Sequence, residues 1–176
     1  EFLLRVNRLA GVFFYRQLKS LPSDHIAKKY IASRGLTDEI VDKFKIGVGL
    51  EDWQGLANVL EEKRVPTKMA ESLGLIRPKK SGQGFFDLFR ERIMFPIFSP
   101  SEELLGFGGR TYLDALPKYL NSPESDVFHK GRVLYGLHET GKYIRSQDRA
   151  VIVEGYMDTV ALYRAGVTNV AAILGT

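Results

Sequence analysis

The chain has no cysteine among its 176 residues, which excludes disulfides, thiolate zinc sites and thiol nucleophiles within it. Histidine is scarce: His25, His129 and His138 lie far apart, poor material for a metal cluster. No apolar run approaches the ~18 residues that a membrane-spanning helix needs, and no signal peptide pattern opens the chain. A strong excess of one charge is missing too, since 25 basic side chains stand against 21 acidic ones. These absences point to a soluble, cytoplasmic protein with no membrane partner. What is present is ordinary globular composition, 44% hydrophobic and 26% charged with 17 Gly and 7 Pro. That excludes a disordered tail, a collagen-like repeat or a fibrous coil. Such a chain can bury one good core, or two small ones that share an interface.

The net charge of +4 is unevenly spread. Residues 1–76 carry 12 basic and 10 acidic side chains, residues 77–149 carry 12 and 9, and residues 150–176 carry one and two. The modest basic excess of the first two thirds suits an anionic partner without establishing one.

Residues 1–75 read as short helices. Phe2, Leu3, Val6, Leu9, Phe13 and Phe14 recur at helical spacing until Leu21-Pro22 ends the pattern. Ser23 is the expected N-cap of a second helix closed by Gly35, Thr37 that of a third reaching Phe44, and Asp52 that of a fourth. Pro66 suits a first helical turn, and Trp53 and the N-terminal Phe residues read as core. The texture changes at Arg77, and residues 78–84 form a polar, Gly-containing stretch expected to be an exposed loop. Extended segments follow at 93–98, 104–111 and 118–121, as in a small antiparallel sheet. Residues 136–145 suit a helix, and from Ala150 the pattern is strand (150–153), helix (157–165), Gly166 and strand (170–174). That order opens a βαβ unit with a parallel sheet.

Three segments carry chemistry. In Val151-Ile152-Val153-Glu154-Gly155-Tyr156-Met157-Asp158 an apolar strand delivers Glu154 at its carboxyl end, where open α/β sheets place their ligand crevice. Asp158 falls in the first turn of the next helix, whose dipole keeps carboxylates ionised, an arrangement suited to divalent cations and phosphates. Spacing alone favours a plainer alternative, with Asp158 a partner of the helix dipole and Glu154 a solvated strand end. Gly106-Phe107-Gly108-Gly109-Arg110 suits a phosphate held by backbone N–H groups and a guanidinium fork, and equally a β-bulge or sheet corner. In Pro117-Lys118-Tyr119-Leu120-Asn121-Ser122-Pro123 the prolines hold the backbone extended, so Tyr119 and Asn121 share one face. Lys118 offers a point charge for phosphate and Tyr119 a ring for stacking, while Lys130 and Arg132 extend the basic surface. A merely solvated charged loop weighs as heavily for this stretch.

Taken together and in order, these strings resemble the RNA polymerase region of bacterial DnaG-type primases. The resemblance runs from about Arg8 to Thr176 and rests on Phe89-Arg90-Glu91-Arg92-Ile93-Met94-Phe95-Pro96-Ile97, the Gly106–Arg110 and Pro117–Glu124 strings, Phe128-His129-Lys130-Gly131, Leu134-Tyr135-Gly136-Leu137 and Glu154-Gly155-Tyr156-Met157-Asp158. It implies an α+β fold: a mixed helical and antiparallel-strand N-terminal basic subdomain over 1–148, then the first βαβ of a Toprim-type parallel sheet over 149–176. It implies metal-dependent nucleotidyl transfer, the synthesis of short RNA primers on single-stranded DNA from ribonucleoside triphosphates at the replication fork. By the same resemblance Glu154 and Asp158 are catalytic, with Glu154 a ligand to Mg2+ or Mn2+. Arg110, Lys118, Tyr119, Asn121 and Lys130 engage template and nucleotide.

In that family a zinc-binding domain precedes this region, and a C-terminal domain docks on the replicative helicase. The Asp-x-Asp carboxylates that complete the metal site, along with the rest of the Toprim fold, are expected beyond Thr176. The implied partners are a single-stranded template, ribonucleoside triphosphates, the primer–template hybrid and that helicase. On this reading the 176 residues bind DNA and nucleotide weakly, make no primers alone, and expose an unpaired strand edge around 170–174 stripped of its covering helices. The alternatives are a non-catalytic nucleic-acid-binding fragment and a piece of a phage-type primase–helicase.

Overall fold

The computed structural model describes residues 1–175. Helices α1 (Phe2–Ser20), α2 (Ile26–Ser33) and α3 (Asp38–Phe44) lead into strand β1 (Gly47–Gly49). Helices α4 (Gly55–Glu62) and α5 (Thr67–Ser72) precede the hairpin β2 (Ile76–Pro78) and β3 (Phe85–Asp87). Then come β4 (Arg92–Phe98), β5 (Leu104–Thr111), β6 (Tyr119–Asn121) and a 3-10 turn at Lys130–Arg132. The chain closes with α6 (Leu137–Gln147), β7 (Val151–Val153), α7 (Tyr156–Arg164) and β8 (Val170–Ala172). The fold is α+β. Its centre is an antiparallel sheet of order β1-β4-β5-β6, flanked by the β2-β3 hairpin and the parallel pair β7-β8.

Alternation along β4 splits the interior into two cores. Ile93, Phe95 and Ile97 face a core shared with α2, α3 and α7, whereas Met94 faces one built with α1, α4 and α5. The stripe of α1 is Val6, Ala10, Phe14 and Leu18, buried at every fourth position, and the helix lies against β1 and β5. Tyr156, Val160, Tyr163, Val170, Ala172 and Leu174 pack into the same core as Phe95 and Tyr135.

Several expected caps are displaced. His25, not Ser23, caps α2, its Nδ1 accepting from the Ala27 N–H at 3.1 Å. Thr37 caps α3 as expected. Asp52 only closes a local turn, accepting from the Gln54 N–H. The first N–H groups of α4 are satisfied from 30 residues away by Asp87, which accepts from Leu56 at 2.7 Å and Ala57 at 2.8 Å. The expected 78–84 loop overlaps only the last residue of β2, and residues 79–84 are the hairpin turn. Trp53 is not core: it is 58% exposed.

The glycine-rich string is neither loop nor bulge but the interior of β5, paired Phe95 to Gly108 and Met94 to Gly109. The irregularity in this pair falls earlier, at Ile97/Phe98. A Cβ at Gly108 would lie 2.2 Å from the Tyr156 ring, so only glycine fits there.

The expected bare edge at β8 is also corrected. Val170, Ala171 and Ala172 are fully buried, and α6 and α7 both lie against β8. At the ends of the β7–β8 ladder the Val151 N–H donates to the Asn169 carbonyl and the Ile173 N–H to the Val153 carbonyl, while Ala172 exchanges two bonds with Tyr135 (2.8 and 3.1 Å). The open edge belongs to β7, where Ile152 is 53% exposed.

Candidate functional site

Strand β6 and the β7–α7 turn meet around an open cavity of about 310 Å³ lined by Tyr119, Asn121, Glu154, Asp158, Ile173 and Leu174, among others. Period-two alternation along β6 sends Tyr119 and Asn121 to this face. On the other wall, β7 ends at Val153 and Gly155 caps α7 in an extended conformation. That leaves Glu154 at the strand's carboxyl end and Asp158 in the first helical turn, both exposed.

Arg110 adjoins the cavity through Tyr119. Its Nη1 donates to the Tyr119 hydroxyl at 2.9 Å and its Nε donates to the Tyr30 hydroxyl. The guanidinium lies 5.5 Å from the Tyr30 ring and 5.2 Å from the Tyr119 ring, and the Arg34 guanidinium lies 5.2 Å from the Tyr30 ring. The result is a column of alternating guanidinium and phenol groups, Arg34–Tyr30–Arg110–Tyr119, held by cation–π attraction as well as hydrogen bonds. Burial raises the Tyr119 hydroxyl pKa, only partly offset by the Arg110 charge.

Behind β6, Arg92 is 7% exposed and uses its guanidinium to hold main chain rather than a carboxylate. Nη2 donates to the Pro117 carbonyl at 2.8 Å and Nη1 to the Lys118 carbonyl at 3.3 Å. Desolvation lowers its pKa. Arg92 thereby fixes the segment leading into β6, and the Lys118 side chain stays exposed.

The structure thus brings Arg110, Tyr119, Asn121, Glu154 and Asp158 together, whereas Lys118 is not among the cavity residues. Nor is Lys130. It begins the 3-10 turn, and its backbone N–H donates to Glu124 at 2.9 Å. Sequence reasoning misses Tyr30 and Arg34, which read only as members of a helix. Their i, i+4 spacing is visible, but nothing local points to a β5 arginine 80 residues away.

A second exposed aromatic group lies at the β3 end. The Arg90 guanidinium lies 3.7 Å from the Trp53 ring and 5.1 Å from the Phe86 ring, and Trp53 meets Phe86 edge-on at 5.6 Å. Asp87 anchors this corner by donating its N–H to the Trp53 carbonyl at 2.8 Å. Burial pushes the Asp87 carboxyl up to about 6, against the two α4 N–H groups that favour its charge.

Among the described residues no group of three His, Cys, Asp or Glu side chains is placed to hold a metal ion. Glu154 and Asp158 are hard oxygen donors on one cavity. They fit a cation such as Mg2+, which binds through one or two carboxylates and completes its shell with water and phosphate oxygens.

The family described as the DNA primase catalytic core, N-terminal domain, matches residues 13–141. The chain belongs to that family. It is 40% identical over all 176 residues to the DNA primase of Halalkalibacterium halodurans, and 42% identical over 166 residues to that of Escherichia coli K12. It spans 29% and 28% of those proteins' lengths. Among solved structures it matches the DnaG primase catalytic domain bound to ssDNA with a TM-score of 0.88 at 38% identity, covering 99% of this chain and 56% of that one. It also matches the RNA polymerase domain of Mycobacterium tuberculosis primase DnaG, in complex with a double-stranded DNA oligomer with a 6-nucleotide overhang. There the TM-score is 0.91 at 32% identity, covering 99% and 54%. The α+β architecture of this chain is that of the DnaG catalytic core.

Proposed function

We propose that this chain forms the template- and nucleotide-binding part of a primase polymerase core, which makes short RNA primers on single-stranded DNA from ribonucleoside triphosphates. The observation that carries this reading is the cavity between β6 and the β7–α7 turn, where a stacking ring and an amide face two exposed carboxylates. In this assignment Tyr119 stacks against a base, Asn121 hydrogen-bonds the nucleotide, and Arg110 and Lys118 hold phosphates. Glu154 and Asp158 would hold Mg2+ or Mn2+, whose bound charge neutralises the triphosphate. Residues 149–176 are then the start of a Toprim-type fold and residues 1–148 its basic partner. The Trp53–Arg90–Phe86 group is a second place for a single strand, since base stacking on aromatics tolerates any sequence.

Fluorescence anisotropy of the 176-residue chain with a labelled single-stranded oligonucleotide tests the DNA part. Affinity should fall with salt, each phosphate contact adding about −0.7 to the log–log slope. The Lys118→Ala, Lys130→Ala pair should weaken binding and flatten that slope. Unchanged affinity and slope would remove both lysines from the DNA surface.

A further inference from the structure

Tyr156 is 5% exposed, yet its hydroxyl reaches the cavity wall and donates to the Asn121 Oδ1 at 2.6 Å. Asn121 Nδ2 in turn donates to the Leu174 carbonyl at 3.3 Å. A carbonyl can only accept, so the Leu174 bond fixes which end of the amide is NH2. Oδ1 must then face Tyr156, and the phenol must be the donor. The ring has little freedom to move. It stacks on Phe95 at 5.3 Å and 8°, meets Tyr135 edge-on at 4.9 Å, and fills the space left open by Gly108. Burial raises the phenol pKa far beyond the neutral range, so it stays a donor.

One consequence concerns polarity. Asn121 has one acceptor oxygen and two N–H donors. Tyr156 takes one of the oxygen's two lone pairs and Leu174 one N–H, so one lone pair and one N–H, held in a fixed orientation, are what the side chain can offer in the cavity it lines. We propose that Tyr156 is a positioning residue that locks the Asn121 carboxamide in one orientation, so that the cavity presents its N–H and its free lone pair to a nucleotide at fixed places. This rests on the nucleotide reading of the cavity given above. It assigns Gly108, Phe95 and Tyr135 a shared purpose: they hold one phenol in place. It also links β6 to the β7–α7 turn through a single pair of side chains.

The test is a double-mutant cycle on the 176-residue chain, with ATP binding in the presence of Mg2+ read by calorimetry. Tyr156→Phe keeps the ring and its stacking and removes only the hydroxyl. It should weaken ATP binding about ten-fold, the order expected for one hydrogen bond. Asn121→Ala should cost as much, and Tyr156→Phe should add nothing in the Asn121→Ala background. A purely structural role would give additive losses and would overturn the proposal. The Asn121 side-chain NH2 resonances give a readout that needs no nucleotide: Tyr156→Phe should shift them and speed their exchange with water. Unchanged resonances overturn the locking itself. Wild-type chain that binds no ATP overturns the nucleotide reading and the proposal with it. Equal ATP binding by wild type and Tyr156→Phe overturns the proposal alone.

Discussion

The Arg110 column and the Trp53 corner use the same materials, a guanidinium against exposed aromatic rings, but they are assembled in opposite ways. The corner is nearly local, with Phe86 and Arg90 around β3 and Trp53 brought in by one backbone bond to Asp87. The column joins α2, β5 and β6, elements 80 and 9 residues apart at their contacts. Their surroundings differ as well. The cavity beside the column is braced by Tyr156, whose phenol is kept neutral by burial, whereas next to the corner the buried Asp87 carboxyl caps α4 and is pushed up to about 6. The surroundings of one stacking group are therefore indifferent to pH near neutrality, and those of the other contain a helix cap that responds to it.

The largest expected effect separates the acidic wall from everything else. With this chain grafted in place of the matching region of the Halalkalibacterium halodurans primase, Glu154→Gln should lower primer synthesis at least about 100-fold while leaving single-strand affinity unchanged. Retained synthesis would remove Glu154 from the chemistry. Next comes the column. Tyr119→Ala should cost about 1–3 kcal/mol in nucleotide or base binding, and Tyr119→Phe, which loses only the bond from Arg110, less than about 1 kcal/mol. Equal losses in a binding titration would show that the hydroxyl matters and stacking does not.

The corner should show its effect in stability. Asp87→Ala strips the cap from α4 and should cost about 1–2 kcal/mol in urea denaturation at pH 7. Asp87→Asn keeps an acceptor without a buried charge and should cost less. The smallest effect is the pH dependence. The folded pKa of Asp87, about 6, stands above the ordinary aspartate value of 3.8. The fold therefore prefers the protonated form, whose stabilising contribution is complete below pH 3.8 and lost as pH rises through about 6. Asp87→Asn should flatten that slope, and the Tyr156 brace should add nothing to it across this range. A slope unaltered by Asp87→Asn would erase the difference between the two surroundings.

Much of the fold is legible in the order of the amino acids. The expected strand 104–111 is β5 to the residue, and 93–98 differs from β4 only at its first residue. Both are apolar runs bounded by turns, the pattern that period and breaker residues report best. The β7–α7–β8 order is equally plain, and so are Tyr119 and Asn121 sharing a face. What is not legible depends on contacts between distant residues. Ser23 and Asp52 look like caps, but His25 and Asp87 do the capping, because which acceptor reaches a helix end is settled by the fold. Trp53 reads as core, whereas the fold leaves it 58% exposed with the Arg90 guanidinium 3.7 Å from its ring. The β5 glycines suggest a phosphate loop, whereas Gly108 is small because Tyr156 needs the space.

Everything proposed for the site depends on nucleotide, cation and protein meeting in the cavity between β6 and the β7–α7 turn. Mn2+ with ATP tests this without an activity assay, because the paramagnetic ion broadens the NMR signals of nuclei close to it. Adding both to the 176-residue chain should selectively broaden the amides of Gly155, Tyr156 and Asp158 and the side-chain NH2 of Asn121, and Glu154→Gln should abolish the broadening. Broadening centred on the Trp53 corner, or left intact by Glu154→Gln, would place the cation and nucleotide elsewhere.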